Sequence, residues 1–384
     1  MFLKPAARQT FVDLGYEPKA CSKLSNDNRD DEFLISRLIF LTTYGTTVDL
    51  PKLIEEHQLA DSIVQHLSRH AARSFSHPST PNRADPMEEM ALAETLKLLF
   101  NITNFAKDHV NSFDAALPHV ASILCNYGLP RTTTPLDPPF SLLINALLNL
   151  NLASPTAQSA LYPSDEPIRV ANRLLQLLDL AMKSYADTEL DQCVTPLICA
   201  LSVVYEHAPD SNAKPTSDDK PTPIKDDSDS NTDPNTNPDA VRALVRTTLL
   251  PTEDDRKTVL GKTGTLPSRL LRNWTNPLAP QFRSAIGHLY FDLSGRDAGR
   301  FIENVGYGYA SGFLFENNIA VPAGAVEGSP SSKAASGGGA SGSRRPVNPI
   351  TGQFLDEEKF EELPEMTMEE KEREAERLFV LFER

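Results

Sequence analysis

Apolar residues recur at helical spacing in one segment after another, and that rhythm limits what this chain can build. Around residues 93–110, Leu92, Leu96, Leu99, Ile102 and Ala106 step by 4, 3, 3 and 4 positions and form one helix face. Lys97, Phe100, Asn101 and Asn104 fall on the opposite side. Residues 141–152 are leucine-rich almost all round, the pattern of a buried helix, with Asn145 and Asn149 as a polar pair one turn apart. Val170, Leu174, Leu177, Leu178 and Ala181 make a third stripe, with Arg169, Arg173 and Gln176 off it. Thr195 and Pro196 supply the start of a fourth helix running to about His207. Asp31 is placed to cap a helix through Leu34, Leu38 and Leu41 that Gly45 closes. Alternating β-branched runs are scarce and no Asn-Gly hairpin signal occurs. Equivalent Leu-rich helices return every 40 to 50 residues, about the period of armadillo or HEAT units. The expected fold is therefore all-α, an armadillo/HEAT-like superhelical solenoid; an irregular helical bundle is the alternative.

Charge and cysteine usage narrow the setting. A net charge of −15 argues against duplex nucleic acid as a partner. Cys21, Cys125, Cys193 and Cys199 form no C-x-x-C pair, which fits buried free thiols in a reducing compartment. No apolar run approaches the length of a membrane span, and residues 1–11 lack the apolar stretch of a secretory signal. A cytoplasmic protein is the expectation, recruited to the inner face of the plasma membrane, if at all, through a partner.

Two segments interrupt the helical pattern. Residues 210–238 are almost entirely Asp, Asn, Ser, Thr, Pro and Lys, with little to bury, and read as a disordered insert. The Gly/Ser/Ala-rich stretch around 326–345 reads as a tether. The expected organisation is helical repeats over 1–209, the insert 210–238, further repeats over 239–322, a linker 323–364 and an amphipathic helix 365–384. Thr367 and Glu370 form a capping box for that helix, and Ala375, Leu378, Phe379 and Phe382 line one side of it.

Motifs for covalent chemistry are weak. Gly261-Lys262-Thr263 lacks the upstream glycine of a P-loop, where Arg256 stands instead. Gly306, Gly308 and Gly312 are spaced one residue too long for a dinucleotide fingerprint and suit a tight helix–helix corner better. His66 and His70 are one turn apart with no third metal ligand in view, and read as an exposed helix face. The expectation is no catalytic residue, metal, cofactor or direct nucleotide binding. In a solenoid the innermost helices line the binding surface. Candidate partner-binding residues are therefore Arg37, Phe40, Lys97, Phe100, Asn101, Asn104, Asn145, Asn149 and Arg173, with Leu378, Phe379 and Phe382 as anchors on the terminal helix. Each asparagine is equally open to an internal role, bonding a neighbouring loop.

Several blocks carry a family resemblance. They are LLFNIT (98–103), LPSRLLRNWT (266–275), FIENVGYGYASG (301–312), NPITG (348–352) and MTMEEKEREA (366–375), with a weaker match back to QTFVDL (9–14). In this order the chain resembles the synembryn family, the proteins named for resistance to inhibitors of cholinesterase. The resemblance implies an armadillo/HEAT solenoid that binds the α subunit of heterotrimeric G proteins, as guanine nucleotide exchange factor and folding chaperone. It implies a concave groove that takes the C-terminal helix of the α subunit and a tail helix that clamps its GTPase domain. A chaperone without exchange activity and a generic peptide-binding armadillo scaffold are the alternatives. Against that family the chain reads as N-terminally short, and residues 210–238 read as an insertion. Ser329, Ser331 and Ser332 lack the acidic flanks that acidophilic kinases favour.

Overall fold

The computed structural model describes residues 4–76, 85–130, 132–209, 239–322 and 345–358, with residues 368, 372–373 and 375–377 beyond them. Among the described residues the secondary structure is helical, apart from one isolated bridge between Val347 and Phe354. In chain order the α-helices are α1 Pro5–Asp13, α2 Glu17–Leu24, α3 Arg29–Thr42, α4 Leu50–Glu55, α5 Leu59–Ser76, α6 Pro86–Phe105, α7 Leu117–Asn126, α8 Phe140–Asn149 and α9 Pro155–Leu161. They continue with α10 Arg169–Ser184, α11 Leu190–Cys193, α12 Thr195–His207, α13 Ala240–Leu249, α14 Leu266–Trp274, α15 Pro280–Leu293, α16 Ala298–Val305 and α17 Tyr307–Glu316.

These helices pack as two rows. One row runs α3, α6, α8, α12, α15, each member against the next. The second runs α2, α5, α7, α10, then α13 and α14, and the rows touch where α2 meets α3, α5 meets α6, α7 meets α8 and α10 meets α12. Neighbour-only packing in two layers is the solenoid arrangement. Members of the first row begin at residues 29, 86, 140, 195 and 280, so the steps are 57, 54, 55 and 85, the last of them including residues 210–238. The repeat is thus longer than the expected 40 to 50 residues. The extra length lies in the 3₁₀ segment Lys107–Ala116 and in the short helices α9 and α11, which carry too little periodicity to be counted from sequence.

Local signals explain most boundaries. Asn28, not Asp31, caps α3: its side chain accepts from the Asp30 and Asp31 amides at 2.9 and 3.1 Å. Asp85, Ser154, Thr265 and Asp297 cap α6, α9, α14 and α16 in the same way. The stripes read from sequence are the core: Leu92, Leu96, Leu99 and Ile102 are buried on α6 with Ala106 buried at its C-terminal cap, and Val170, Leu174, Leu177, Leu178 and Ala181 are buried on α10.

The last repeat is aromatic. Trp274 stacks on Tyr290 at 5.8 Å and on Tyr309 at 6.1 Å, and also meets Phe301. Gly287 on α15 admits this cluster, since a Cβ there would stand 2.6 Å from the Phe313 ring. The glycines 306 and 308 form the expected corner. Gly306 has φ +80° between α16 and α17, and a Cβ on it would reach the Ile350 carbonyl oxygen at 3.0 Å.

Residues 345–358 fall inside the stretch expected to be linker, and there they are docked. Tyr307 and Gly308 amides donate to the Pro349 and Ile350 carbonyls at 2.7 and 3.1 Å. The Phe354 amide donates to the Arg256 carbonyl at 2.8 Å. Arg256 in turn donates to the carbonyls of Gly352, Glu303 and Asn304 at 3.0, 2.9 and 2.9 Å.

Candidate functional site

Eight of the candidate residues share three successive members of the first row: Arg37 and Phe40 on α3, Lys97, Phe100, Asn101 and Asn104 on α6, Asn145 and Asn149 on α8. Arg37 and Lys97 both reach the buried carboxylate of Glu94, at 3.1 and 2.9 Å. Two cations on one carboxylate leave a surplus positive charge on the surface of a strongly acidic chain. Phe40 meets Tyr44 edge-on at 5.4 Å, and Tyr44 meets Phe105 edge-on at 6.1 Å. Tyr44 and Phe105 are 43% and 52% exposed, so the aromatic ladder ends in solvent. Neither Tyr44 nor Phe105 stood among the sequence candidates, although Tyr44 is four residues beyond Phe40 and that spacing could have found it.

The asparagines divide. Asn101 is buried because α3 covers the side of α6 that the stripe leaves polar. It accepts from the Tyr44 hydroxyl at 3.2 Å and donates to Thr43 Oγ1 at 2.7 Å. Asn149 donates to the Phe100 carbonyl at 3.1 Å and so ties α8 to α6. Asn145 is half-buried and Asn104 is exposed. Arg173 lies in the other row, on α10, where its guanidinium donates to the Cys125 carbonyl near the end of α7. Leu378, Phe379 and Phe382, with Thr367 and Glu370, lie outside the described residues. The described tail positions 368, 372–373 and 375–377 are helical and exposed.

Removing the Asn101 amide strands the partner groups of a buried residue. Asn101→Ala is expected to cost about 1–3 kcal/mol of stability, read as a lower melting temperature. A weakened partner affinity at unchanged melting temperature would instead make Asn101 a contact residue.

His66 and His70 are buried rather than exposed, because α5 turns that face toward α2 and α6 and onto Glu32 of α3. Their partner is Glu32, itself fully buried on α3. Glu32 accepts from His70 Nε2 at 2.9 Å and from the Thr95 hydroxyl at 2.7 Å, and pairs with Arg69. Burial would raise the Glu32 carboxyl, but the His70 hydrogen bond, the positive charge that His70 and His66 carry in acid and the Thr95 hydroxyl outweigh it and hold it at about 2. Among the described residues no group of side chains suits a metal ion. Gly261-Lys262-Thr263 belongs to a polar turn in which Thr263 and Thr265 donate to buried Asp255 at 2.6 Å each.

The family described as guanine nucleotide exchange factor synembryn matches residues 1–384. The chain belongs to the synembryn family. A synembryn-like chaperone of Schizosaccharomyces pombe is 27% identical over 389 aligned positions, which cover 96% of this chain and 64% of that relative's length. The synembryn blocks fall at consistent places in the fold. LLFNIT lies on α6 in the middle of the candidate surface, and LPSRLLRNWT is α14 with its stacked tryptophan. FIENVGYGYASG is the α16–α17 corner, onto which NPITG folds. No helix among the described residues of this synembryn-family chain is long and apolar enough to cross a membrane.

Proposed function

We propose that this synembryn-family chain is a guanine nucleotide exchange factor and folding chaperone for G-protein α subunits, working by non-covalent capture in the cytoplasm. The observation that carries the reading is the surface of α3 and α6, where surplus positive charge and an aromatic ladder lie on the same pair of helices within a family match over residues 1–384. Such a surface suits an amphipathic helix that ends in a carboxylate. Phe40, Tyr44, Phe100 and Phe105 meet its apolar face; Arg37 and Lys97 meet its acidic end; Asn104 and Asn145 bond its polar edge. Asn101 and Asn149 hold the row in register, and Arg173 acts from the second row. A binder that favours the nucleotide-free α subunit weakens GDP by the same factor, so no side chain need act as acid or base.

The test is GDP release from a purified α subunit. The chain is expected to accelerate release, and Tyr44→Ala with Phe105→Ala to reduce partner affinity by about 30-fold, as truncation of aromatic anchors does. Binding without acceleration removes exchange and leaves the chaperone, the reading that the name of the Schizosaccharomyces pombe relative favours. Absence of binding returns the chain to a scaffold for other peptides.

The terminal helix 365–384, with Leu378, Phe379 and Phe382, is proposed as a second contact on the same partner. Deleting residues 359–384 leaves the docked segment 345–358 in place. Affinity is expected to fall about tenfold or more, as tethered second contacts do, while the melting temperature holds. A lowered melting temperature at unchanged affinity would make that helix part of the solenoid.

A further inference from the structure

His66 Nε2 lies 2.7 Å from the Leu24 carbonyl, the last residue of α2, and must carry its proton to donate there. The opposite nitrogen, Nδ1, faces Arg69 Nη1 at 3.2 Å. Arginine only donates, so Nδ1 is the acceptor and the ring is neutral. One imidazole thus links the C-terminus of α2 to the arginine that holds Glu32 of α3 and Asp27 of the α2–α3 connection. We infer that the seam between α2, α3 and α5 is an acid-sensitive latch, in which protonation of His66 at Nδ1 removes the hydrogen bond from Arg69 and loosens α2 and α3 from α5.

The charged groups around the ring decide the direction. From α5, Arg69 places a fixed positive charge beside Nδ1, and His70 stands one turn on, with Arg73 beyond it bound to Glu88. From α3, Glu32 Oε2 lies 3.7 Å from Nδ1, but that carboxylate already serves Arg69, His70 and Thr95. From the α2–α3 connection, Asp27 is taken up by Arg69 at 2.8 Å. From α6, Glu88 faces His70 at 3.8 Å rather than His66. A second cation at Nδ1 therefore meets a guanidinium and a carboxylate whose lone pairs are nearly spent. Burial, then the Arg69 and His70 charges, hold the His66 imidazole below its ordinary 6.5, against the pull of Glu32 and Leu24. The sign follows: below pH 6.5 the unfolded chain takes up a proton that the folded chain refuses, so the latch weakens as pH falls.

Hydrogen–deuterium exchange on the full chain, corrected for intrinsic rates, tests this between about pH 7.5 and about pH 5.5. Peptides from α2 and α3 are expected to lose protection, by up to about tenfold per pH unit for one proton, while peptides from α12 to α15 hold theirs. His66→Gln keeps an N–H for the Leu24 carbonyl and does not titrate, so the loss should vanish. Flat protection of α2 and α3, an equal loss along the whole chain, or a loss that persists in His66→Gln overturns the latch. If His66→Gln does not fold, the NMR titration of the His66 ring in the unaltered chain decides: a midpoint below 6.5 supports the latch, and one at or above it overturns it.

Discussion

Glu32→Ala is expected to unfold the first repeats locally, at a cost of about 3–5 kcal/mol, as when one member of a buried ionic group is removed. Glu32 is completely buried where α3, α5 and α6 meet, and its carboxylate is the common acceptor for Arg69, His70 and Thr95. The alanine leaves the Arg69 guanidinium without its counter-charge and His70 Nε2 and the Thr95 hydroxyl without their acceptor, and opens a cavity between helices. Glu32→Gln keeps an acceptor oxygen for Thr95 but not the charge, and should fall between the alanine and the native chain. Because each unit touches only its neighbours, the damage should stay local. Hydrogen exchange resolves this: α3, α5 and α6 should lose protection while α12 and α15 keep theirs. Uniform loss would mean that the array unfolds as one unit. The pH dependence of Glu32 has its own window. Its carboxyl is held at about 2 against 4.5 unfolded, so the stability it supplies is complete above 4.5 and is lost as pH falls toward 2.

Trp274→Ala should cost about as much at the other end of the array, roughly 3–5 kcal/mol for a large buried aromatic. The indole lies between the rings of Tyr290 and Tyr309 and against Phe301, so its loss empties the centre of the last repeat rather than its edge. Tyr290 and Tyr309 then lose the surface that aims their hydroxyls at the Leu249 and Leu260 carbonyls. The check is urea unfolding followed by a probe in α14 to α17, since the substitution also removes the chain's single tryptophan fluorophore. A shift under about 1 kcal/mol would mean that the cluster closes over the gap.

Where one helix face does the burying, the sequence was legible. Val170, Leu174, Leu177, Leu178 and Ala181 repeat at helical spacing, and the structure buries all five against one side. Asn101 shows where periodicity runs out. It is off the apolar stripe of α6, yet α3 packs over it, and a polar residue buried by a second neighbour leaves no signal in spacing. His66 and His70 were visible as a pair one turn apart, but their partner Glu32 stands more than 30 residues earlier, and only the packing of α3 on α5 joins them. Residues 345–358 share the Pro, Gly and Asn content of a free linker. What docks them is backbone hydrogen bonding to Arg256, Tyr307 and Gly308, and composition does not record backbone geometry. Of the candidate surface, Arg37, Lys97 and Phe40 could be proposed from helical spacing alone. The exposed end of the aromatic ladder divides: Tyr44 follows Phe40 at helical spacing and was within reach of the sequence, whereas Phe105 needed the contact between α3 and α6 to join it.

The docked segment sets an order of events in the life of a nascent chain. Most contacts in the two rows join neighbouring units, so repeats can settle one after another as they emerge. The pairing of Arg256 with Gly352, and of Gln353 with the Lys257 carbonyl, spans 96 residues of sequence. At ribosomal speeds that gap lasts roughly 5–20 s. For that interval the carbonyl of Arg256 and the Leu260 side chain, which meet Phe354 and Gly352, stand open to water or to whatever meets them first; the amides of Tyr307 and Gly308, whose partners Pro349 and Ile350 come sooner, do so for roughly 2–8 s.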